Sequence, residues 1–415
     1  MAEDPDPNKL DFDMEKALEF FMDPVSGSNS KGKKVEGIVN IHVDDCLLSG
    51  TETFKKLVTQ HLCKDFQVGH EDKNDVMFCG QRVKWNDKGT TKQHITVDQE
   101  GKVEELSEIP LIKNLNDDTA CDSEMHTAYR SVLGQINWLQ SRTQFQACYL
   151  FSRCASAAAK PTIGHVRELN KLVRKIRCEK VVMNYWPLKG ETRIVGYPDA
   201  SYQNNKPDKS SQKGHAIFIA ERRRTGITDP KASLVEYESS KIKKVVQSTT
   251  VAELYAFMKC YGTCQYLRGL WKDMTGETAP VHMRTDANNL VTTASTTHLP
   301  EQRETIHMIN QLRHEACTGS IEDLAHVTTT EQMADVFTKE KAPLEFLKKA
   351  VESGRLPNCD KHLPFREMMK NKHKAFFSTW LVRNLRFEVL HSAKTFLGYP
   401  IWKDIQCALL GWPIH

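Results

Sequence analysis

The feature that most constrains the fold of this chain is a regular alternation of strand-like and helix-like segments between residues 194 and 340. Three apolar or alternating runs, at 194–198, 214–222 and 234–242, predict consecutive β-strands. A long helix is predicted next, from Val251 to Met274, because apolar residues recur there at spacings of three and four. Three strands therefore precede the first helix of this region.

The alternation continues through the rest of the region. Residues 281–285 predict a fourth strand, residues 306–319 a helix that ends near Gly319, and residues 321–327 a fifth strand. A short helix follows the fifth strand. The resulting order, β-β-β-α-β-α-β-α, predicts an α/β fold with a five-stranded sheet and helices.

Four acidic residues lie where these strands end or these helices begin. Asp199 and Asp286 follow the first and fourth strands, Glu253 lies in the first turn of the long helix, and Asp335 lies on the last helix. Converging carboxylates repel one another unless cations lie between them, and hard oxygen ligands suit Mg2+ or Mn2+. The four acids therefore predict a metal site. Two ions about 3.5–4 Å apart there would stabilise the attacking and leaving oxygens of a phosphodiester cleavage.

Each acid taken alone has another interpretation. Glu253 is three residues after Thr250, a spacing that also fits a capping box. Asp286 could cap a helix, and Asp335 could be a solvated carboxylate on a short helix. Only the joint arrangement of the four acids favours the metal site over these alternatives.

The sequence around the acids resembles a known family. The stretches Asp-Ala-Ser-Tyr, Ser-Thr-Thr-Val-Ala-Glu, Thr-Asp-Ala-Asn and Ala-Asp-Val-Phe-Thr-Lys are similar to the ribonuclease H domain that ends copia-type retrotransposon Pol polyproteins. Integrases and transposases of the same broad fold use the order Asp, Asp, Glu, which is absent here. The resemblance implies a mixed five-stranded sheet and two Mg2+ ions, with Mn2+ as an alternative, held by Asp199, Glu253, Asp286 and Asp335. It also implies cleavage of RNA in an RNA/DNA hybrid.

A histidine is a further candidate within this resemblance. His326 precedes Asp335 by nine residues and invites comparison with the mobile histidine of some cellular ribonucleases H. The alternative is an ordinary residue of the fifth strand. His326 is therefore a possible auxiliary residue.

Paired aspartates form a second acidic motif near the N-terminus. Residues 35–48 contain two apolar runs around Asp44 and Asp45, which predicts a β-hairpin with the aspartates near its tip. The alternative is an ordinary Asp-Asp turn. The stretch His-Val-Asp-Asp resembles the palm motif of copia-type reverse transcriptases. The predicted helix 53–66, strands 76–85 and 93–97 and helix 102–109 resemble the end of that palm and the start of a thumb.

This palm resemblance is incomplete. A two-metal polymerase needs another aspartate on a separate strand and fingers that hold the nucleotide, and the family places both well upstream of the paired aspartates. Only 43 residues precede Asp44. The chain is therefore expected not to polymerise DNA alone, unless another chain or the rest of a Pol polyprotein supplies the missing parts.

A helical segment joins the two acidic regions. Residues 110–126 read as a linker, and three helical patterns follow at 127–141, 145–159 and 162–178. These resemble the family's segment between polymerase and ribonuclease. The third helix carries a basic stripe, predicted to follow a phosphate backbone or else to be a solvated face: Arg167, Lys171, Arg174 and Lys175.

Composition adds limits on the whole chain. The net charge of +4 does not by itself predict a polyanionic partner. No stretch reaches 18 uncharged apolar residues, and the first residues, Met-Ala-Glu-Asp-Pro-Asp-Pro, lack the basic and apolar regions typical of a signal peptide. An intracellular protein with no membrane segment and with reduced cysteines is expected. Five segments are predicted: a polar N-terminus (1–34), a partial palm (35–109), a helical thumb or connection (110–188), a ribonuclease H-like domain (189–345) and a helical tail (346–415). A non-catalytic nucleic-acid-binding protein derived from such an element is the alternative function.

Overall fold

The computed structural model describes residues 35–66, 68–112, 114–205, 208–222, 229–295 and 305–357. The predicted N-terminal segment 1–34 and most of the predicted tail 346–415 lie outside these ranges. Within them, no helix has the length and apolar character needed to cross a membrane.

The described chain begins with a β-hairpin. Strands β1 (Gly37–His42) and β2 (Asp45–Gly50) are antiparallel, with His42 opposite Asp45. The predicted hairpin with the paired aspartates at its tip is thus confirmed. Every residue of both strands is exposed or half-buried, so the hairpin has no buried core of its own. Its interpretation as a palm remnant stays a prediction.

A helix and a small antiparallel sheet follow the hairpin. Helix α1 (Glu52–Asp65) precedes strands β3 (Asp75–Phe78), β4 (Gln81–Asn86) and β5 (His94–Asp98), and helix α2 (Glu100–Glu105) comes next. Helix α2 ends earlier than the predicted residue 109.

The prediction of one strand over residues 76–85 is wrong. Cys79 and Gly80 have φ angles of 50° and 66°, in the left-handed region, and they turn the chain back on itself between β3 and β4. Two successive residues with positive φ form the tight turns that favour short hairpins. The Cys-Gly pair was the signal for this turn.

Three helices form a separate apolar core. They are α3 (Ser123–Gln140), α4 (Cys148–Ser156) and α5 (Ile163–Cys178), with a single 3-10 turn, Phe145–Ala147, before α4. Their apolar faces bury Tyr129, Ile136, Leu139, Val166, Leu169, Leu172, Val173 and Ile176. The three predicted helical patterns are confirmed. A three-residue strand that was not predicted, β6 (Met183–Tyr185), then pairs with β5 as a fourth strand.

The largest sheet follows. Strands β7 (Thr192–Asn205), β8 (Ser210–Glu221) and β9 (Ala232–Lys241) are antiparallel neighbours, and β10 (Val281–Thr285) and β11 (Ile321–His326) extend the sheet in parallel with β7. The strand order is β11-β10-β7-β8-β9. This is the mixed five-stranded α/β sheet predicted for a ribonuclease H-like fold, and that prediction is confirmed.

Helices cover the sheet. Helix α6 (Thr249–Thr275) packs on one face together with α7 (Asn288–Ser295) and α8 (Ile306–Thr318). On the opposite face, α9 (Glu345–Ser353) and the 3-10 turn before α4 share a core with the sheet. The three-helix unit is therefore joined to the five-stranded sheet by buried apolar contacts, and this junction lies close to the acidic residues.

Candidate active site

Asp199 lies on β7, the central strand of the sheet, and its residue is only 1% exposed. Its neighbour on β8 is Gly214. A Cβ added to Gly214 would lie 2.5 Å from the Cβ of Phe337, so the glycine allows the segment after β11 to come against the strand. This close approach brings Asp335 towards Asp199.

Asp335 begins a 3-10 turn, Asp335–Phe337, and is 6% exposed. The alternative of a solvated carboxylate is therefore wrong. The Thr338 hydroxyl donates a hydrogen bond to the Asp199 carboxylate, and its oxygen also lies 3.3 Å from the Asp335 carbonyl oxygen. Lys339 Nζ lies 2.7 Å from Asp335 Oδ1 and 3.5 Å from Asp199 Oδ1. These contacts tie the turn to the central strand.

The same turn is supported from behind by aromatic rings. Phe337 stacks on Tyr237 of β9 with ring centroids 5.9 Å apart, and Tyr237 meets the edge of Phe145 at 6.0 Å. The Ser239 hydroxyl also donates to the Phe337 carbonyl. Because Phe145 belongs to the three-helix unit, that unit contributes to the position of Asp335.

Asp286 directly follows β10, the parallel neighbour of β7. The Gln332 side-chain amide links the two strands, since it donates to the Pro198 carbonyl at 2.9 Å and to Asp286 Oδ1 at 3.4 Å. Helix α7 begins only at Asn288, two residues later. Carboxylate oxygens of Asp199, Asp286 and Asp335 all lie within 4.8 Å of one another, which is close enough for one ion to contact all three.

Glu253 lies one helical turn inside α6, whose N-cap is Ser248. A capping box from Thr250 to Glu253 is therefore wrong. The carboxylate accepts a hydrogen bond from the Ala200 amide, while its Oε2 is buried without a hydrogen-bond partner. Glu253 is not within the three-acid set, but it lines the same cleft as Asp286, which has a volume of about 270 Å³.

Burial places these carboxylates under electrostatic strain. The pKa of Asp199 is raised to about 7, chiefly by burial, with Lys339 and the Thr338 hydrogen bond opposing the rise and the charges of Asp335 and Asp286 adding to it. Burial also raises the pKa of Glu253 well above its usual range, with added repulsion from Asp199 and Asp286. The pKa of Asp335 is raised by burial too, against the attraction of Lys339. A further cation at this position would relieve the repulsion.

The chemistry of these groups fits a hard divalent cation. All four candidate ligands offer carboxylate oxygens, the donors that Mg2+ and Mn2+ prefer. The unpartnered buried oxygen of Glu253 is a second sign, because such atoms ordinarily have a partner. Asp199, Asp286 and Asp335 could therefore hold an ion, with Glu253 beside them.

Three polar residues of this site were missed in the sequence. Gln332, Thr338 and Lys339 contact the acids directly. Thr338 and Lys339 belong to the Ala-Asp-Val-Phe-Thr-Lys stretch, and the spacing of four between Asp335 and Lys339 was the available signal for an ion pair. Nothing in the local pattern indicated that Lys339 would also reach Asp199.

His326 is the last residue of β11 and is exposed. Its Nε2 lies 3.1 Å from the Asp286 carbonyl oxygen, to which it can donate. The ring thus contacts the backbone of an acid and not a carboxylate. An auxiliary catalytic role for His326 stays a prediction.

The other predicted site residues lie apart from the acid cluster. Asp44 and Asp45 are exposed at the hairpin tip, and the three-acid set is the one group of potential ligands found at metal-binding spacing in the described ranges. Each member of the basic stripe on α5 has an acidic partner there: Arg167 with Asp117, Lys171 with Glu340, Arg174 with Glu108, and Lys175 with Glu179. A nucleic-acid contact through this stripe stays a prediction.

Comparison with known proteins gives structural neighbours only. No family model matches the chain, and no curated protein matches it. The chain is similar to LC11-RNase H1 in complex with an RNA/DNA hybrid, at 14% identity and a TM-score of 0.26, over 35% of this chain and 94% of that one. It is also similar to the N-terminal RNase H domain of a Mycobacterium tuberculosis protein, fused to maltose-binding protein. The identity is 13% and the TM-score 0.26, over 39% of this chain and 99% of that one.

A longer neighbour is a foamy viral protease-reverse transcriptase in complex with double-stranded DNA. The identity is 14% and the TM-score 0.22, over 75% of this chain and 57% of that one. At these values, the fold is assigned from the chain's own strand order and strand directions, and the chemistry from its own acids.

Proposed function

We propose that this chain is a metal-dependent ribonuclease H-type endonuclease of retroelement origin, similar to the copia type, that cleaves RNA in RNA/DNA hybrids. One observation carries the proposal: Asp199, Asp286 and Asp335 come from two neighbouring parallel strands and a turn, and their oxygens lie within 4.8 Å of one another. Asp199 and Asp335 are buried and Asp286 is half-buried, and carboxylates gathered at this spacing are costly to fold, which supports a functional role for the cluster.

The residues proposed to hold Mg2+ or Mn2+ are the three aspartates together with Glu253. When bound, the ions would neutralise the phosphodiester and lower the barrier to its hydrolysis by water. The protein itself holds the carboxylates in position. Gln332 and Thr338 orient Asp286 and Asp199 through hydrogen bonds, and the packed sheet behind them keeps bulk water from one side of the carboxylates.

The cleft beside the acids suits a sugar-phosphate backbone. Its rim includes Thr249, Thr250, Asn288 and Asn289, which offer hydroxyl and amide groups. Helices α6 and α7 both begin at this cleft, and helix N-termini favour phosphate groups. Hybrid preference would come from duplex shape and 2′-hydroxyl contacts, because those features distinguish RNA from DNA without reading bases.

The basic stripe on α5 is proposed as a second, weaker contact. Arg167, Lys171, Arg174 and Lys175 would each have to exchange an acidic partner for phosphate, which reduces the net gain in affinity. The hairpin with Asp44 and Asp45 is proposed as a palm remnant that does not polymerise DNA alone. Mixing with a chain that supplies fingers and a palm aspartate would test whether polymerase activity returns.

Hybrid cleavage tests the proposed function. The purified chain is incubated with Mg2+ and a labelled RNA/DNA hybrid, with duplex RNA and duplex DNA in parallel. Cleavage of the hybrid alone is expected. Replacing Glu253→Gln should lower the rate at least about a hundredfold, while Asp273→Asn, at an exposed position of the same helix, should leave it unchanged. Unchanged cleavage in Glu253→Gln would remove Glu253 from the mechanism.

The alternative function is nucleic-acid binding without hydrolysis. One observation favours it: the ammonium group of Lys339 already pairs with two of the acids. Salt-sensitive binding of the hybrid by a folded protein, without cleavage in Mg2+ or Mn2+, would support this alternative and contradict the endonuclease proposal.

A further inference from the structure

Lys339 is the cation closest to the acid cluster in the described part of the chain. Its Nζ lies 2.7 Å from Asp335 Oδ1 and 3.5 Å from Asp199 Oδ1. Lysine ordinarily carries an ammonium group at neutral pH. This group lies within ion-pair distance of two predicted metal ligands.

The surroundings of Lys339 direct it to these acids. Its amide donates to the Asp335 carbonyl at 3.0 Å, which fixes the start of the side chain on the turn. The adjacent acid, Glu340, is engaged elsewhere: Arg153 donates to it at 2.8 Å, and Lys171 lies 3.5 Å away. Both ion pairs that Lys339 makes within the described ranges are consequently with acids of the site.

The Lys339 side chain has a path from the acids into solvent. It is 36% exposed, so one side of it already faces water. Lysine carries a compact, strongly hydrated charge on a flexible stem with four carbons, and its withdrawal into water need not disturb the backbone. The cluster thus has a built-in cation that is close enough to neutralise two carboxylates and mobile enough to give up that position.

We propose that Lys339 is a positioning residue that replaces the divalent ion in the metal-free protein and competes with that ion for Asp199 and Asp335. This inference rests on the proposed metal site. In the absence of ions, the ammonium group reduces the repulsion among the buried acids and keeps them together. Binding of an ion requires the ammonium group to move away, so Lys339 weakens metal affinity while it protects the fold of the metal-free site.

The first test is Mg2+ binding by isothermal titration calorimetry on the full chain. Lys339→Gln should bind Mg2+ with a Kd at least about tenfold lower than the parent, because no ammonium group has to be displaced. Lys339→Arg keeps the charge and should stay near the parent value. Lys341→Gln, an exposed lysine two residues away, is the matched control and should bind as the parent does.

The second test is thermal melting in EDTA, a readout independent of catalysis. Lys339→Gln should melt at a lower temperature than the parent without metal, and added Mg2+ should raise its melting temperature by more than it raises that of the parent. Lys341→Gln should show neither change.

The outcomes separate two kinds of failure. If the parent binds Mg2+ and Lys339→Gln binds it equally or more weakly, the competition inference is wrong while the metal site stands. If neither folded protein binds Mg2+ or Mn2+, the proposed metal site is wrong and the inference falls with it.

Discussion

This chain contains two groups of aspartates, and the structure places them in different environments. Asp44 and Asp45 are adjacent in sequence and lie exposed at the tip of a two-stranded hairpin. Asp199 and Asp335 lie 136 positions apart in the sequence, with Asp286 between them, and all three converge against the largest sheet. Only the second group is held in place by contacts from surrounding side chains.

An acidic motif becomes a metal site only when other segments bring further ligands to it. Adjacent residues on a strand point to opposite faces, so a pair such as Asp44 and Asp45 needs a third acid from another segment to form a metal site. The ribonuclease H-like sheet supplies such partners because β7 and β10 are parallel neighbours and a turn returns to β7. Burial then raises the pKa of Asp199, a perturbation typical of functional sites.

The largest effect on stability is expected from removing an ion pair in the five-stranded sheet, compared with removing one in the small antiparallel sheet that contains β3 and β4. Arg284 on β10 is 1% exposed and donates to Asp323 at 2.7 Å. Arg284→Met should lower the free energy of unfolding by about 3–5 kcal/mol, because it removes the guanidinium group that pairs with the buried Asp323 carboxylate. Arg82, which pairs with Asp75 in the N-terminal sheet, is 45% exposed, and Arg82→Met should leave the denaturation midpoint unchanged.

Chemical denaturation measures both variants against the parent. Equal losses in the two variants would contradict the contrast between a buried and an exposed region. A loss in Arg82→Met alone would reverse it.

The acid dependence of stability should also differ between the five-stranded sheet and the exposed N-terminal part of the described chain. Burial lowers the pKa of His215 on β8 to about 4, helped by Lys259 and Lys213 and opposed by Glu238. Because the ordinary value in an unfolded chain is about 6.5, the unfolded state binds the extra proton first, and stability falls as the pH drops from about 6.5 to 4. The total contribution is up to about 3 kcal/mol.

His215→Met should remove this part of the acid dependence, so that its stability and that of the parent converge or cross as the pH falls through this window. The control is His70→Gln, at an exposed histidine before the N-terminal sheet, which should follow the parent at every pH. Denaturation curves between pH 4 and 8 provide the measurement. An identical slope for His215→Met and the parent would show that His215 does not titrate as its burial indicates.

A smaller effect is expected where the three-helix unit supports the acid cluster. Arg153 on α4 donates to Glu340, one residue after Lys339, at 2.8 Å, and its side chain is 23% exposed. Arg153→Gln should slow hybrid cleavage about fivefold, in line with about 1 kcal/mol for a partly exposed ion pair. Combining it with Glu340→Gln should add little, since the pair is already broken.

The exposed Arg130 on α3 provides a control: Arg130→Gln should cleave as the parent does. Full additivity of the Arg153 and Glu340 substitutions would show that the two side chains act independently and that this contact does not position the site.

Much of the fold was predictable from the sequence because periodicity is strong where burial is strong. The pattern of apolar residues from Val251 to Met274 predicted α6 to within two residues at each end, and residues 281–285 gave β10 without error. Weak periodicity gave errors. The turn at Cys79 and Gly80 was missed, and β6 is too short to produce an alternating pattern.

The sequence predicted the acidic residues of the site but not the side chains that contact them. Asp199, Glu253, Asp286 and Asp335 were found because the sequence pattern places each beside a predicted strand or on a predicted helix. In the structure Asp199 lies inside β7, which continues to Asn205, and three of the acids come within ligand distance with Glu253 alongside. The reach of Lys339 to Asp199 depends on the turn returning to β7 at Gly214, a tertiary contact that local spacing does not contain. The neutralisation of the basic stripe by Glu108 and Asp117 depends likewise on packing between distant segments.

The most direct measurement is hybrid cleavage by two variants in the same assay with Mg2+. Asp44→Asn combined with Asp45→Asn should cleave the RNA/DNA hybrid within about twofold of the parent, since both side chains are exposed and lie outside the acid cluster. Asp199→Asn should lose at least about a hundredfold in rate while remaining folded, because the amide keeps the shape of the carboxylate. Full activity in Asp199→Asn, or loss of activity in the hairpin variant, would contradict the account.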